Sequence, residues 1–299
     1  MISADEMQGG GGPGSGAYLA PATTQDLGFR SPEVPSAAQP VRGVQEQALR
    51  DLEPLRAVAG SQPEGVTVDG RWIEVADGVL VRRHAELDVS TGLVLGDRRC
   101  LVIDTLGDGV QGAQLAAAVR EVTTQPWTVV LTHGHFDHCF GTSAFVPCGI
   151  WAHRGMPGYL ARTADAQRRE WSAYYRGRNR PDVAGALGTA RMIRPNSLVN
   201  ERVDLDLGGR KVALHHFGPA HTDHDLAVHL PDVELVFAGD LVEQGAPPSV
   251  DQDSQIQHWP VVLDRLLSLQ PRTVVPGHGD PVDAEFVAQQ RQQLAAYSG

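Results

Sequence analysis

The seven residues Thr132-His133-Gly134-His135-Phe136-Asp137-His138 constrain this chain more than any other stretch. They put three imidazoles and a carboxylate side by side, directly after the apolar run Thr128-Val129-Val130-Leu131. Nitrogen and oxygen donors this dense at the end of a strand suit a transition-metal site, not an apolar core. Three later patches share the setting of a Gly-containing turn past an apolar strand. They are His221 in Gly218-Pro219-Ala220-His221-Thr222, Asp240 in Ala238-Gly239-Asp240, and His278 in Pro276-Gly277-His278-Gly279. A chain that must bring these four patches to one point has few folds open to it.

The spacing divides the donors between two ions. In extended backbone, side chains two apart share a side, so His133 and His135 grip one ion together. Gly134 and Gly141 ease the turn around them, after which Asp137 and His138 address a neighbouring position. One carboxylate can bridge two cations, and Asp240 is the candidate. The expected sets are His133, His135 and His221 for one metal and Asp137, His138 and His278 for the other, with Asp240 shared.

The pattern His-X-His-X-Asp-His, then Gly-X-X-His-Thr, Gly-Asp and Gly-His, resembles the metallo-β-lactamase superfamily over roughly residues 66–299. The resemblance implies a mixed α/β fold, a four-layer αββα sandwich with a binuclear site at one edge. Imidazole and carboxylate suit several first-row ions, so two divalent ions are expected, zinc first, with iron or manganese as alternatives. The implied chemistry is a hydroxide bridging two metals that attacks the carbonyl of an ester, thioester, lactone or amide, with Asp137 as ligand and catalytic orienter. Asp at 240 resembles glyoxalase II-like and lactonase-like members, because zinc β-lactamases generally carry Cys or Ser there. A zinc β-lactamase and an iron-dependent persulfide dioxygenase-like oxidoreductase are the alternatives. The resemblance further implies that Asp104, at the end of Ile103-Asp104-Thr105, orients an imidazole from behind. Thr132 and Thr222 adjoin ligands and are placed to do the same. His224 departs from the family, standing where many relatives carry Pro and Gly; a pocket-lining or solvent-facing position without a metal role is expected.

Composition narrows the partners. The net charge is −11, and the one local basic patch, Arg168-Arg169 through Arg176, Arg178 and Arg180, reads as a solvated helix face. That argues for a small-molecule substrate and against nucleic acid. Cys100, Cys139 and Cys148 have no paired spacing, no secretory pattern is visible, and no run is long enough to span a membrane. The expectation is a cytoplasmic enzyme with no membrane partner; the oligomeric state stays open.

Along the chain, 1–42 reads as a disordered Gly/Pro/Ala-rich tail, 43–65 as a short helical lead-in broken by Pro54, and 66–299 as the hydrolase domain. Short strands are expected at 66–68, 72–75, 79–82, 91–95, 100–104, 128–132, 150–153, 201–206, 211–216, 226–230, 235–238 and 273–275. Helices are expected at 110–122, 256–269 and 284–297. The segment 155–197, with Trp171, Tyr174 and Tyr175, reads as a helical lid or an outer packing insertion, and the loop 244–254 as a second wall.

Overall fold

The computed structural model describes residues 70–297. The strand expected at 66–68, the tail and the helical lead-in lie outside the described residues. Seven strands form the first sheet, in the order β1 (Trp72–Ala76), β2 (Val79–Arg83), β3 (Ser90–Leu95), β4 (Cys100–Ile103), β5 (Trp127–Val130), β6 (Ile150–His153) and β7 (Ser197–Val199). Strands β1 to β4 are antiparallel and β4 to β7 parallel. The parallel half needs crossovers, and helices supply them. These are α1 (Gly109–Val122) between β4 and β5, the four-residue α2 (Phe136–Cys139) between β5 and β6, and α3 (Met156–Gly177) with α4 (Pro181–Gly188) between β6 and β7.

The second sheet comprises β8 (Arg202–Asp206), β9 (Lys211–His215), β10 (Ala227–Leu230), β11 (Leu235–Glu243) and β12 (Thr273–His278), ordered β12-β11-β10-β9-β8. The last pair is parallel, joined through α5 (Trp259–Leu267); α6 (Ala284–Tyr297) follows β12.

Alternation along the strands sorts residues into three cores. In β4, Leu101 and Ile103 enter the layer between the sheets, while Cys100 and Val102 face the helices. In β11, Leu235 and Phe237 face the first sheet while Val236 and Ala238 meet α5 and α6. Such strands, buried on both faces, lack the polar alternation of a half-exposed strand. Three apolar layers separate four structural layers, which is the αββα sandwich.

Local chemistry starts the helices. Asp108 caps α1, its carboxylate accepting from Val110 N at 2.7 Å and Gln111 N at 2.9 Å. Pro157, Pro181 and Pro260 stand in the first turns of α3, α4 and α5, where a missing N–H costs nothing. Several boundaries differ from the sequence reading. The helix expected over 256–269 spans Trp259–Leu267, the three-residue β7 was not foreseen, and β11 runs on to Glu243, so Asp240 lies within a strand. The segment 155–197 is mostly α3 and α4, whose Tyr159, Tyr175 and Leu187 are part of the first core; it is a packing layer of the sandwich.

Candidate metal centre

The four patches arrive at one edge from both sheets. His133 and His135 lie on the extended stretch leaving β5, their rings 4.8 Å apart. His135 keeps extended backbone (φ −72, ψ 149) as the residue before α2, whose tight turn presents Asp137 and His138. His221 comes from the connection between β9 and β10, Asp240 from β11 and His278 from the end of β12. One donor atom from each of His133, His135, His221 and Asp240 lies within 4.8 Å of the others; Asp137, His138 and His278 form a second such group. Asp240 touches both. Its Oδ2 is 3.6 Å from His133 and His221 Nε2 and 3.3 Å from His278 Nε2, and its Oδ1 is 3.1 Å from His138 Nε2.

The back of each ring is held. His138 Nδ1 donates to Asp104 Oδ2 at 2.8 Å, His278 Nδ1 to the Leu87 carbonyl at 2.7 Å and His221 Nδ1 to the Ser249 carbonyl at 3.1 Å. A carbonyl only accepts, so the Nδ1 protons are assigned and Nε2 is left to face the cluster. His133 Nδ1 lies 3.1 Å from Thr132 Oγ1, whose own proton goes to Asp104 Oδ2. His135 is turned the other way, with Nε2 3.4 Å from Asp253 Oδ2 and Nδ1 3.0 Å from His221 Nε2. His138 and His278 likewise bring Nε2 atoms within 3.3 Å. Two imidazole lone pairs at such distances repel unless a proton or a cation lies between them.

Charge in the cluster follows from the same contacts. Burial, then the neighbouring imidazoles, keep His133 well below its ordinary value, and burial takes His221 to about 4. Burial opposes protonation of His138, yet Asp240, Asp137 and Asp104 raise it well above the usual range. Burial likewise opposes His135 and His278, but Asp253 lifts the first to about 9 and Asp240 the second to about 10. Burial alone would raise the Asp240 carboxyl; His138, His278 and His133 pull it well below its usual range. Four side chains form a floor at 5% exposure or less (His133, His138, His221, Asp240), whereas Asp137, His135 and His278, at 13%, 16% and 19%, form the rim.

Other positions divide. Asp104 accepts from Thr132 N and Oγ1 as well as from His138, so it braces His138 and the residue before His133. Thr222 does not orient an imidazole of the cluster; its hydroxyl donates to Asp225 Oδ1 at 2.6 Å. His224 neither lines the pocket nor faces solvent, but is fully buried with Nε2 accepting from Gly134 N. The loop 244–254 does reach the cluster, through Ser249, Asp251 and Asp253. Leu87, Ser249 and Gln167 were missed: two act through backbone carbonyls, which carry no side-chain signal, and Gln167 through a bond to the Gly134 carbonyl. Among the described residues no helix is long and apolar enough to cross a membrane.

Two face-to-face sheets, helices on both outer faces and a His/Asp cluster at one edge define a class of metalloenzyme. The family model for the metallo-beta-lactamase superfamily matches residues 85–278, and the chain belongs to that superfamily as a metal-dependent hydrolase. Acyl-coenzyme A thioesterase MBLAC2 of Gallus gallus is 29% identical over 206 residues, 64% of this chain and 73% of that protein. Metallo-beta-lactamase type 2 of Bacillus sp. (strain 170) is 26% identical over 214 residues, 70% of this chain and 72% of that protein. A solved metallo-beta-lactamase from Pontibacter korlensis shares the fold with a TM-score of 0.60 at 18% identity, covering 75% of this chain and 98% of that one.

Proposed function

We propose a binuclear metal-dependent hydrolase that attacks the carbonyl of a small-molecule ester, thioester, lactone or amide, with an acyl thioester as the leading substrate class. His133, His135 and His221 would hold one ion, Asp137, His138 and His278 the other, and Asp240 both. The observation that carries this reading is the position of Asp240 between the two donor groups, within 3.6 Å of four imidazoles.

The residues present fit such a pair of ions. His133 Nε2 is buried without a hydrogen-bond partner, which is costly unless a cation completes it. The donor set is nitrogen and oxygen with no thiolate, suited to zinc and also to iron or manganese. When bound, two divalent ions supply a water whose pKa is lowered toward ~7 and a Lewis acid for the substrate oxygen. The chain's own part is orientation and access. The buried floor fixes geometry, and Asp137 at the rim, with Oδ2 3.4 Å from His278 Nε2, is placed to accept a proton from an attacking water. Thioester is put first because of the acyl-coenzyme A thioesterase among the relatives and because Asp stands at 240.

Metal analysis and a thiol-release assay across acyl-coenzyme A chain lengths test the proposal, with ester, lactone and β-lactam panels beside it. Two equivalents of metal, with thiol release lost on chelation and restored by zinc, are the expected outcome. Mononuclear iron with oxygen uptake on a persulfide would replace this reading with an oxidoreductase. Turnover confined to β-lactams would overturn the substrate class.

A further inference from the structure

The peptide of Gly134, between the two imidazoles that open the ligand motif, has left the β5 ladder, so its polar groups need partners from elsewhere. Both are supplied by side chains. Gly134 N donates to His224 Nε2 at 3.0 Å, and its carbonyl accepts from Gln167 Nε2 of α3 at 3.1 Å. The His224 ring is itself fixed. Its Nδ1 donates to Asp223 Oδ1 at 2.6 Å, which keeps the proton on that nitrogen and leaves Nε2 as an acceptor. Its main-chain N–H donates to Thr222 Oγ1, and its face packs on Tyr159 with ring centroids 4.5 Å apart. The fit around Gly134 is closed: a Cβ there would stand 2.6 Å from Tyr159 Cδ1 and 2.8 Å from His224 Nε2.

From this geometry we infer that His224, with Gln167 opposite it, is a positioning residue that sets how His133 and His135 are splayed, and so how tightly the pair binds a cation. The inference rests on the proposal that those two imidazoles hold metal. His224 is not itself a ligand, because the only ring nitrogen with a free lone pair is spent on Gly134. The loop that carries His221 thereby clamps the strand end that carries His133 and His135, and three ligands of one ion become parts of one hydrogen-bonded unit.

Three variants separate this role from a merely structural one. His224→Leu keeps bulk and removes the acceptor. His224→Gln offers Oε1 near the place of Nε2. Gln167→Leu removes the clamp on the carbonyl side alone. Zinc affinity is read by competition with a chromophoric chelator, the ligand field by the visible spectrum of the cobalt-substituted protein, and the clamp by hydrogen exchange at the Gly134 amide in metal-free protein. His224→Leu is expected to weaken zinc by about 10–100-fold, the range for outer partners of metal ligands, and to shift the cobalt bands. Gly134 exchange should quicken without metal present, and His224→Gln should recover most of both effects. If His224→Leu does not fold, Gln167→Leu carries the affinity test. A folded His224→Leu, or in its place Gln167→Leu, within about threefold of wild-type affinity overturns the inference, as does a Gln variant no better than Leu. If wild-type protein binds no metal, the hydrolase proposal fails instead, whereas unchanged Gly134 exchange in metal-free His224→Leu removes the clamp itself.

Discussion

Asp240 is the residue on which the two donor groups meet. It is 5% exposed, and four imidazole nitrogens lie within 3.6 Å of its two oxygens. Replacing it by Ala leaves those imidazoles without their common counter-charge. Asp240→Ala should lose metal affinity by more than the ~10–100-fold of an outer partner, with hydrolysis lost alongside; near-wild-type metal content by elemental analysis would refute its bridging role. Asp104 acts one layer back. All three of its partners, Thr132 N, Thr132 Oγ1 and His138 Nδ1, are donors. Asp104→Asn sets an amide N–H against at least one of them, so the variant should bind zinc roughly 10–100-fold more weakly while remaining folded. A chelator titration beside circular dichroism reads both quantities, and unchanged affinity would make Asp104 a turn-former only.

At the scale of elements, the pairing of β11 with β12 explains how Asp240 leaves the ladder. Phe237 pairs with Val275 and Gly239 with Pro276, yet the next partner of His278 is Glu243, so β11 spends extra residues over the same span of β12. The irregularity lets the strand present Asp240 at the sheet edge, with Gly239 at φ 55. Across the gap Gly277 leaves room for the carboxylate, since a Cβ there would stand 1.8 Å from Asp240 Oδ1. Gly277→Ala should therefore displace Asp240 and lower metal affinity while the sheet persists; zinc titration checks it, and wild-type affinity would show that the strand yields freely. The irregularity also marks what could be read from sequence. Leu235 to Ala238 are apolar and announce a strand, but Gly239-Asp240 looks like its end, because two-residue alternation says nothing about a bulge. The His133 to His138 run was legible because its donors lie adjacent in sequence. Ser249 and Leu87 were not, because they act through carbonyls that every residue possesses, and Leu87 holds its carbonyl in a left-handed turn (φ 57) that a leucine does not advertise.

For the molecule as a whole, the cluster draws on both sheets. Asp104 and the motif from His133 to His138 lie at the ends of β4 and β5, while Asp240 and His278 belong to β11 and β12, so metal held as proposed would tie one half of the sandwich to the other. Without metal, protons must do part of that work. His135 at about 9 and His278 at about 10 are raised above the ordinary imidazole value, mostly by Asp253 and Asp240 against the effect of burial. A histidine raised on folding stabilises the protein fully below its unfolded value of ~6.5, and that contribution disappears as pH climbs through the folded value. Metal-free protein should therefore lose melting temperature between about pH 7 and 10, a fall that metal-loaded protein, whose imidazoles are deprotonated by coordination, should not share. Metal must also displace these protons. His133 and His221 are held neutral and have none to release, whereas His135, His138 and His278 do. Zinc binding at pH 7 should accordingly liberate protons, and apparent affinity should rise with pH up to about 9. Calorimetric titration in two buffers of different ionisation heat measures the release directly. Heats independent of buffer, together with parallel melting curves for metal-free and loaded protein from pH 7 to 10, would mean that the cluster does not hold its protons as the surrounding carboxylates require.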